Sequence, residues 1–131
     1  MFGYCRVSSV KQDREGTSLD GQRDEITRYC AARGWPAPSL RVEVESGGAE
    51  KTERRVEQLR LTGEAERGDV IIVIAVDRWS RDIVHGVASV RAIVARGVGW
   101  VAIREGIDAT TPQGDSTLGI MAWSADQCAV R

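Results

Sequence analysis

The chain has 131 residues, of which 42% are hydrophobic and 28% are charged, with 18 Lys and Arg against 19 Asp and Glu. This length and composition predict one globular domain, spanning residues 1–131, that is large enough to bury a core. The formal net charge is −1, so a surface that attracts nucleic acid or anionic lipid over its whole area is excluded. Any site for a polyanion must therefore be local.

The cysteines and the longest apolar runs indicate the cellular compartment of the protein. Cys5, Cys30 and Cys128 have neither a CxxC pattern nor Cys/His metal-ligand spacing, which favours reduced thiols over a zinc site or a disulfide framework. We see no targeting segment, and no apolar run approaches the length of a membrane span. We therefore expect a cytoplasmic protein with no membrane partner.

Residues 2–8 predict a first strand. Because side chains alternate along a strand, Arg6 and Ser8 should project to the same side at its carboxyl end, and Cys5 should face the other side as a buried thiol. Residues 9–16, which include Gln12, predict a loop. Thr17 and Asp20 then fit a capping box, so a helix should follow and end at Gly34, with Leu19, Ile26 and Cys30 on its apolar face.

The second strand and helix are less marked. Residues 40–44 alternate apolar and charged side chains, which is typical of a strand near a sheet edge. Residues 45–53 predict a loop, and residues 54–67 predict a helix with a weak apolar stripe formed by Val56, Leu59 and Gly63.

The longest apolar run, Val70 to Val76, predicts a central strand buried on both faces of a parallel sheet. Open α/β sheets bind ligands at the carboxyl ends of their strands. Asp77, Arg78 and Arg81 follow this strand directly, just before a helix, so the sequence predicts the chemistry here.

The last third of the chain continues the alternation of helix and strand. A helix should run from Asp82 to Gly97, a strand should span 98–103, and 104–114 should be a loop. A final helix should begin at Asp115 or Ser116. Its two apolar faces predict either packing against a partner subunit or full burial. The buried face of the first of these helices is predicted as Val84, Val87, Val90 or Arg91, and Val94. The two faces of the last are predicted as Leu118, Met121, Ala122 and Ala125, and as Ile120 and Trp123.

This order predicts an α/β fold with a mainly parallel, four- to five-stranded sheet and helices on both faces. The first and third strands should then be neighbours, so Arg6 and Ser8 can converge with the residues at 77–81. A serine hydroxyl among guanidiniums suits attack on a phosphodiester, because the arginines neutralise the phosphate and the charge of the transition state. Asp77 could handle the proton or hold the guanidiniums, while His85 is interpreted as a partly exposed helix residue.

Five motifs, taken in order, resemble the catalytic domain of the serine recombinases, the family of resolvases, invertases and large serine integrases. They cover nearly the whole chain, and the ordered set is far more specific than any one of them. The motifs are Gly3-Tyr4-Cys5-Arg6-Val7-Ser8-Ser9, Thr17-Ser18-Leu19-Asp20-Gly21-Gln22, Glu45-Ser46-Gly47 with Arg54 or Arg55, Gly68-Asp69-Val70 leading to Asp77-Arg78-Trp79-Ser80-Arg81-Asp82, and Glu105-Gly106-Ile107-Asp108 with Thr110-Thr111-Pro112-Gln113-Gly114.

The resemblance implies a resolvase-like fold and a role for each matched residue. Ser8 would be the nucleophile that forms a phosphoserine link to a DNA 5′ end, with Ser9 as a rival that strand alternation places on the opposite side. Arg6, Arg78 and Arg81 would bind the scissile phosphate, and Asp77 would orient them or exchange protons. Gln12 and Gln22 match supporting positions. The family's loop arginine corresponds to Arg55, or alternatively to Arg54.

The resemblance also implies that neither a metal nor a nucleotide cofactor takes part, and that a dimer assembles into a tetramer on DNA. The family's last helix carries an arginine near the position of Ala129 and continues into a DNA-binding region, which is absent from these 131 residues. Two alternatives remain open. One is a catalytically silent, truncated remnant that dimerises with a full-length recombinase. The other is a receiver-type signalling domain with Asp77 as phosphoacceptor, which would need an acidic pair after the first strand.

Overall fold

The computed structural model describes residues 1–7, 19–44 and 55–129. Several sequence predictions lie outside the described residues. They are those for Ser8, Ser9, Gln12, the capping hydroxyl of Thr17, the loop at 45–53 and Arg54.

The described residues form one sheet of five strands in the order β2-β1-β3-β4-β5. β1 to β4 run parallel, and β5 is antiparallel to β4. The predicted neighbourhood of the first and third strands is confirmed, since β1 pairs with β3 at Phe2 and Gly3. The strand order reverses between these two strands, which is where open α/β sheets form a crevice. The strands are β1 (Phe2–Val7), β2 (Ser39–Val44), β3 (Val70–Val73), β4 (Gly99–Ala102) and β5 (Ile107–Asp108).

Helices cover both faces of the sheet, as predicted. One apolar cluster joins α1 to one face through Ile26 and Cys30, while a larger cluster joins the other helices to the opposite face. Because side chains alternate along β1, Tyr4 enters the larger cluster and Cys5 the smaller one. The helices are α1 (Leu19–Ala32), α2 (Val56–Glu64), α3 (Val76–Trp79), α4 (Ile83–Ala95) and α5 (Pro112–Ala129).

Three aromatic rings stack edge to face in the larger cluster. The ring of Trp79 lies 5.2 Å from that of Tyr4 and 6.0 Å from that of Trp100, measured between centroids. All three side chains are buried, so α3 is packed firmly against β1 and β4. This packing fixes the segment that carries Asp77 and Arg78 relative to the strand that carries Arg6.

The central strand is shorter than predicted. β3 ends at Val73, and the apolar run continues through a bend into the short helix α3, which contains Asp77 and Arg78. Ile74 to Val76 are nevertheless buried, so their apolar character reflects the core and not a longer strand. The loop predicted at 104–114 contains β5 and the first turn of α5.

The predicted stripe of α2 is wrong. Val56 and Leu59 are exposed, whereas Leu61 and Ala65 pack in the core. The α4 face is shifted, because Val87, Val90 and Ile93 are buried and Val84 is exposed. In α5 the face led by Leu118 is confirmed as the buried one. Ile120 and Trp123 are 65% and 64% exposed, so full burial of this helix is wrong.

Candidate active site

Arg6 lies at the carboxyl end of β1 and is held by its main chain and its side chain together. The side-chain amide of Gln22 accepts from the Arg6 N–H at 3.2 Å and donates to the Arg6 carbonyl at 3.1 Å. The Arg6 guanidinium donates through Nη2 to the main-chain carbonyl of Asp77. Both Arg6 and Gln22 are buried, so the carboxyl end of β1 is held firmly at Arg6. Gln22 therefore fixes the backbone of Arg6 from both its N–H and its carbonyl.

The segment after β3 brings an acidic and a basic side chain to the same place. The N–H of Val76, at the start of α3, donates to the carboxylate of Glu105, with 3.2 Å to each oxygen. Asp77 follows with its side chain 69% exposed, and its carboxylate lies 3.7 Å from the guanidinium of Arg78. Arg78 is 22% exposed, and its buried Nε has no hydrogen-bond partner among the described residues.

A second cationic segment begins at the amino end of α2. Arg55 is the N-cap residue of this helix, and its side chain is partly buried. The buried hydroxyl of Tyr4 donates to the carboxylate of Glu43 at 3.0 Å. Burial raises the pKa of Tyr4 and the neighbouring Glu43 carboxylate raises it further, while the nearby Arg55 guanidinium acts in the opposite direction. Arg55 thus lies close to Tyr4 on β1, two residues before Arg6 in the chain.

Arg55 and Arg81 line one cleft of about 430 Å³ between α2 and the α3–α4 segment. Its walls also include Trp79 and Gln58, whose side-chain amide donates to the carbonyl of Trp79 at 2.7 Å. His85 lies on the same cleft and is 85% exposed, so it is a helix residue that is more exposed than predicted. Two guanidiniums at one cleft favour an anionic ligand such as a phosphate group.

The structure therefore brings Arg6 together with the segment of Asp77 and Arg78, and it brings Arg55 together with Arg81. Ser8, Gln12 and Arg54 lie outside the described residues, so their predicted roles stay predictions. Cys5 is buried, as predicted, and burial raises the pKa of its thiol to about 11. This thiol is therefore protonated at neutral pH.

Sequence reasoning missed several residues that hold the site. Glu43, Gln58 and Glu105 bond to the segments that carry Arg55 and Arg78, and Tyr4 bonds to Glu43. The sequence did not identify Glu43 as a site residue, because an acidic residue in an alternating strand normally faces solvent. Its Cα is the register partner of the Arg6 Cα, which would have marked it once the pairing of β1 with β2 was known.

Among the described residues, no group of three or more His, Cys, Asp and Glu side chains could hold a metal ion. No helix in the described part of the chain is long and apolar enough to cross a membrane.

A family model described as "Resolvase, N terminal domain" matches residues 1–128. A probable DNA-invertase of Sinorhizobium fredii is 29% identical over 121 residues, which are 92% of this chain and 35% of that protein. The Tn2501 transposon resolvase from Escherichia coli is 28% identical over 127 residues, covering 96% of this chain and 61% of that protein. The chain thus spans about a third and about three fifths of the length of these two relatives.

Solved structures show the same fold. The N-terminal catalytic domain of TP901-1 integrase superposes with a TM-score of 0.78 at 27% identity, over 95% of this chain and 92% of that one. A resolvase family site-specific recombinase from Streptococcus pneumoniae gives a TM-score of 0.76 at 20% identity, over 98% of this chain and 88% of that one. The predicted resolvase-like α/β fold is therefore confirmed.

Proposed function

This chain belongs to the resolvase N-terminal domain family, and we propose that it breaks and rejoins DNA strands in site-specific recombination. The observation that carries this proposal is the convergence of Arg6 with the Asp77–Arg78 segment where the strand order reverses. Ser8 follows Arg6 by two residues, so its hydroxyl would enter a site already lined by guanidiniums. The invertase and resolvase names of the relatives agree with this chemistry.

In the proposed reaction, Oγ of Ser8 attacks the phosphorus of a DNA phosphodiester. A bond forms between Oγ and phosphorus, and the bond to the 3′ oxygen breaks, which leaves the 5′ end attached to Ser8. The serine proton passes to a base, and the departing 3′ oxygen takes up a proton. After strand exchange, a 3′ hydroxyl attacks the phosphoserine and restores both the DNA strand and the serine.

The arginines would stabilise the extra negative charge of the transition state. Arg6 comes from the end of β1 and Arg78 from the short helix α3 that follows β3, and Arg81 and Arg55 come from the adjacent cleft. Asp77 is exposed and lies beside Arg78, so it can orient that guanidinium or exchange a proton with the reacting groups. Loss of one charge-bearing donor of this kind typically costs about a hundredfold or more in rate.

DNA and a second copy of the chain are the proposed partners. We propose that a region outside these 131 residues locates the target, because the net charge of −1 provides little attraction for DNA. The exposed Ile120 and Trp123 of α5 form an apolar surface that suits a dimer, which would assemble to a tetramer on DNA. A receiver-type activity is not favoured, since Arg6 occupies the strand end where that chemistry needs acidic residues.

The test is a denaturing gel for a covalent protein–DNA adduct, with the whole chain fused to a heterologous DNA-binding module and its matching target. We expect an adduct from the fused chain and none from Ser8→Ala. Ser39→Ala, at the exposed start of β2, is the matched serine control and should retain the adduct. Absence of an adduct from the folded, DNA-bound parent protein would refute the proposal and favour the dimerising remnant.

A further inference from the structure

The amino end of α2 has an unusual cap. Its N-cap residue is Arg55, and the Arg55 side chain makes no capping hydrogen bond. Helices prefer Ser, Thr, Asp or Asn at this position, because their side chains accept from the first amides. A cation here also faces the positive end of the helix dipole. Arginine at residue 55 is therefore unfavourable for the local stability of the α2 amino end.

A remote carboxylate supplies the missing cap. Glu43, on β2, accepts from the main-chain N–H of Glu57 at 3.3 Å and from that of Gln58 at 3.1 Å. The Glu43 side chain is buried, and buried carboxylates need hydrogen-bond donors on most sides. The hydroxyl of Tyr4 provides a third donor at 3.0 Å. Glu43 thus does what an N-cap side chain would do, and position 55 is left for arginine.

The same network ties this helix end to the rest of the site. Tyr4 stands on β1 beside Arg55, and its ring is fixed against Trp79 of α3. Gln58, in the first turn of α2, donates to the carbonyl of Trp79 at 2.7 Å. Arg55 is therefore attached, through Glu43 and Gln58, to the two segments that present Arg6 and Arg78.

We propose that Glu43 and Tyr4 are positioning residues that hold Arg55 toward the DNA phosphate. This inference rests on the proposed function, because it takes the phosphate as the ligand of Arg55. Glu43 touches no reacting atom in this proposal and acts by fixing the helix end from which Arg55 projects. A displacement of about 1 Å at such a group can lower the rate about a hundredfold.

The position of Arg55 can be measured without DNA. The ¹⁵N heteronuclear NOE of the Arg55 Nε–Hε group, assigned by its loss in Arg55→Lys, reports how ordered the guanidinium is. We expect a high value in the parent chain and a fall toward that of the exposed Arg23 in Tyr4→Phe and Glu43→Gln. Glu64→Gln is the matched control. It breaks the bidentate Arg41–Glu64 pair, which ties β2 to the other end of α2, and should leave the Arg55 signal unchanged.

The covalent step gives the second readout, in the fused chain used for the adduct assay. We expect Glu43→Gln to slow adduct formation about 10- to 100-fold with DNA binding unchanged. In an Arg55→Ala background the same change should cost less than about twofold, because coupled residues are not additive. Tyr4→Phe should behave likewise with a smaller loss, and it keeps the ring packing if Glu43→Gln fails to fold.

The outcomes separate the two proposals. An unchanged Arg55 NOE in Tyr4→Phe would overturn the positioning role whether or not the parent protein forms an adduct. Equal losses with and without Arg55 would overturn it as well, since Glu43 would then act on general stability. A parent protein that forms no adduct, yet shows the expected NOE changes, would refute the recombination chemistry and retain the link between Glu43 and Arg55.

Discussion

Helices α2 and α4 begin in opposite ways. α4 is capped by its own N-cap residue, Asp82, whose carboxylate accepts from the N–H of His85 at 3.2 Å and meets the His85 ring at 2.6 Å. α2 is capped across the fold by Glu43, and its N-cap residue is a cation. The first arrangement is local and exposed, and the second is long-range and buried.

This difference shows where the fold has given up a local preference. At α4 the N-cap residue is itself the acceptor, so no other part of the fold is needed to cap this helix. At α2 the acceptor is a buried acid, Glu43, on a strand that is distant in the sequence. Such an arrangement is needed only if residue 55 is not itself a capping residue. We therefore infer that arginine at this position serves the proposed contact with a DNA phosphate.

The largest effect should come from removing the remote cap. Glu43→Ala leaves two helix amides and the Tyr4 hydroxyl without their acceptor inside the protein, and it should lower the free energy of unfolding by about 3 kcal/mol. Urea unfolding followed by circular dichroism measures this. Glu66→Ala, an exposed acid just after α2, should leave the midpoint nearly unchanged. A loss from Glu43→Ala below about 1 kcal/mol would contradict the assigned role.

Removing the local cap should cost less. Asp82→Ala removes an exposed capping carboxylate, and the helix amides that it accepted from can then form hydrogen bonds with water. The free energy of unfolding should therefore fall by about 1 kcal/mol. The same urea titration gives the value. If Asp82→Ala proved as costly as Glu43→Ala, burial would not be what distinguishes the two helix ends.

A swap of cap type sharpens the comparison further. In the Glu43→Ala background, Arg55→Ser should restore about 0.5 to 1 kcal/mol, because the serine hydroxyl can accept from the amides that Glu43 has left. In the parent background those amides are already bonded, so Arg55→Ser should change stability by less than about 0.5 kcal/mol. Paired urea titrations compare the two backgrounds. Adduct formation should fall in both, and a stabilised variant that keeps full activity would contradict the functional reading of Arg55.

The smallest effect is that of pH on the local cap. Hydrogen bonds from the His85 N–H and then from its ring lower the pKa of Asp82. A lowered folded-state pKa means that this stabilisation is complete above the unfolded value of about 4 and is lost as pH falls through the folded value. Because Asp82 is exposed, solvent screens this interaction, and the loss of stability at acid pH should be less than about 1 kcal/mol. Asp82→Asn should remove this loss from the acid limb of the stability profile. An unchanged acid limb would argue against the cap.

Local patterns were enough to predict most of the fold. The apolar periodicity of α1 and the apolar run at Val70–Val73 predicted a helix and a strand correctly. In both segments the spacing of apolar residues along the chain matches the face or faces that the element buries. The end of β3 was misplaced because Ile74 to Val76 are as apolar as a strand, although they lie in a bend and a helix start. Val56 and Leu59 were misassigned because α2 meets the core through Leu61 and Ala65 at its far end.

In the candidate site, too, some residues could be predicted from the sequence and others could not. Arg6, Asp77 and Arg78 could be predicted from strand ends and from the family motifs, since each follows directly from its own segment. Glu43 and Gln58 could not, because their roles depend on contacts with β1, α2 and α3 that no single segment encodes. Gln22 lies between these cases. Its motif marked it as supporting, and the structure supplies its hydrogen bonds to the Arg6 backbone.

The proposed role of Ser8 can be tested by locating the covalent bond between the protein and DNA. The adduct formed by the fused chain can be digested with protease and nuclease, and tandem mass spectrometry then identifies the residue that carries the nucleotide. We predict a phosphoester on Ser8, with Ser9 unmodified in the same peptide. A nucleotide on Ser9 or on another residue, or no modified peptide from a protein that has bound its target, would contradict this prediction.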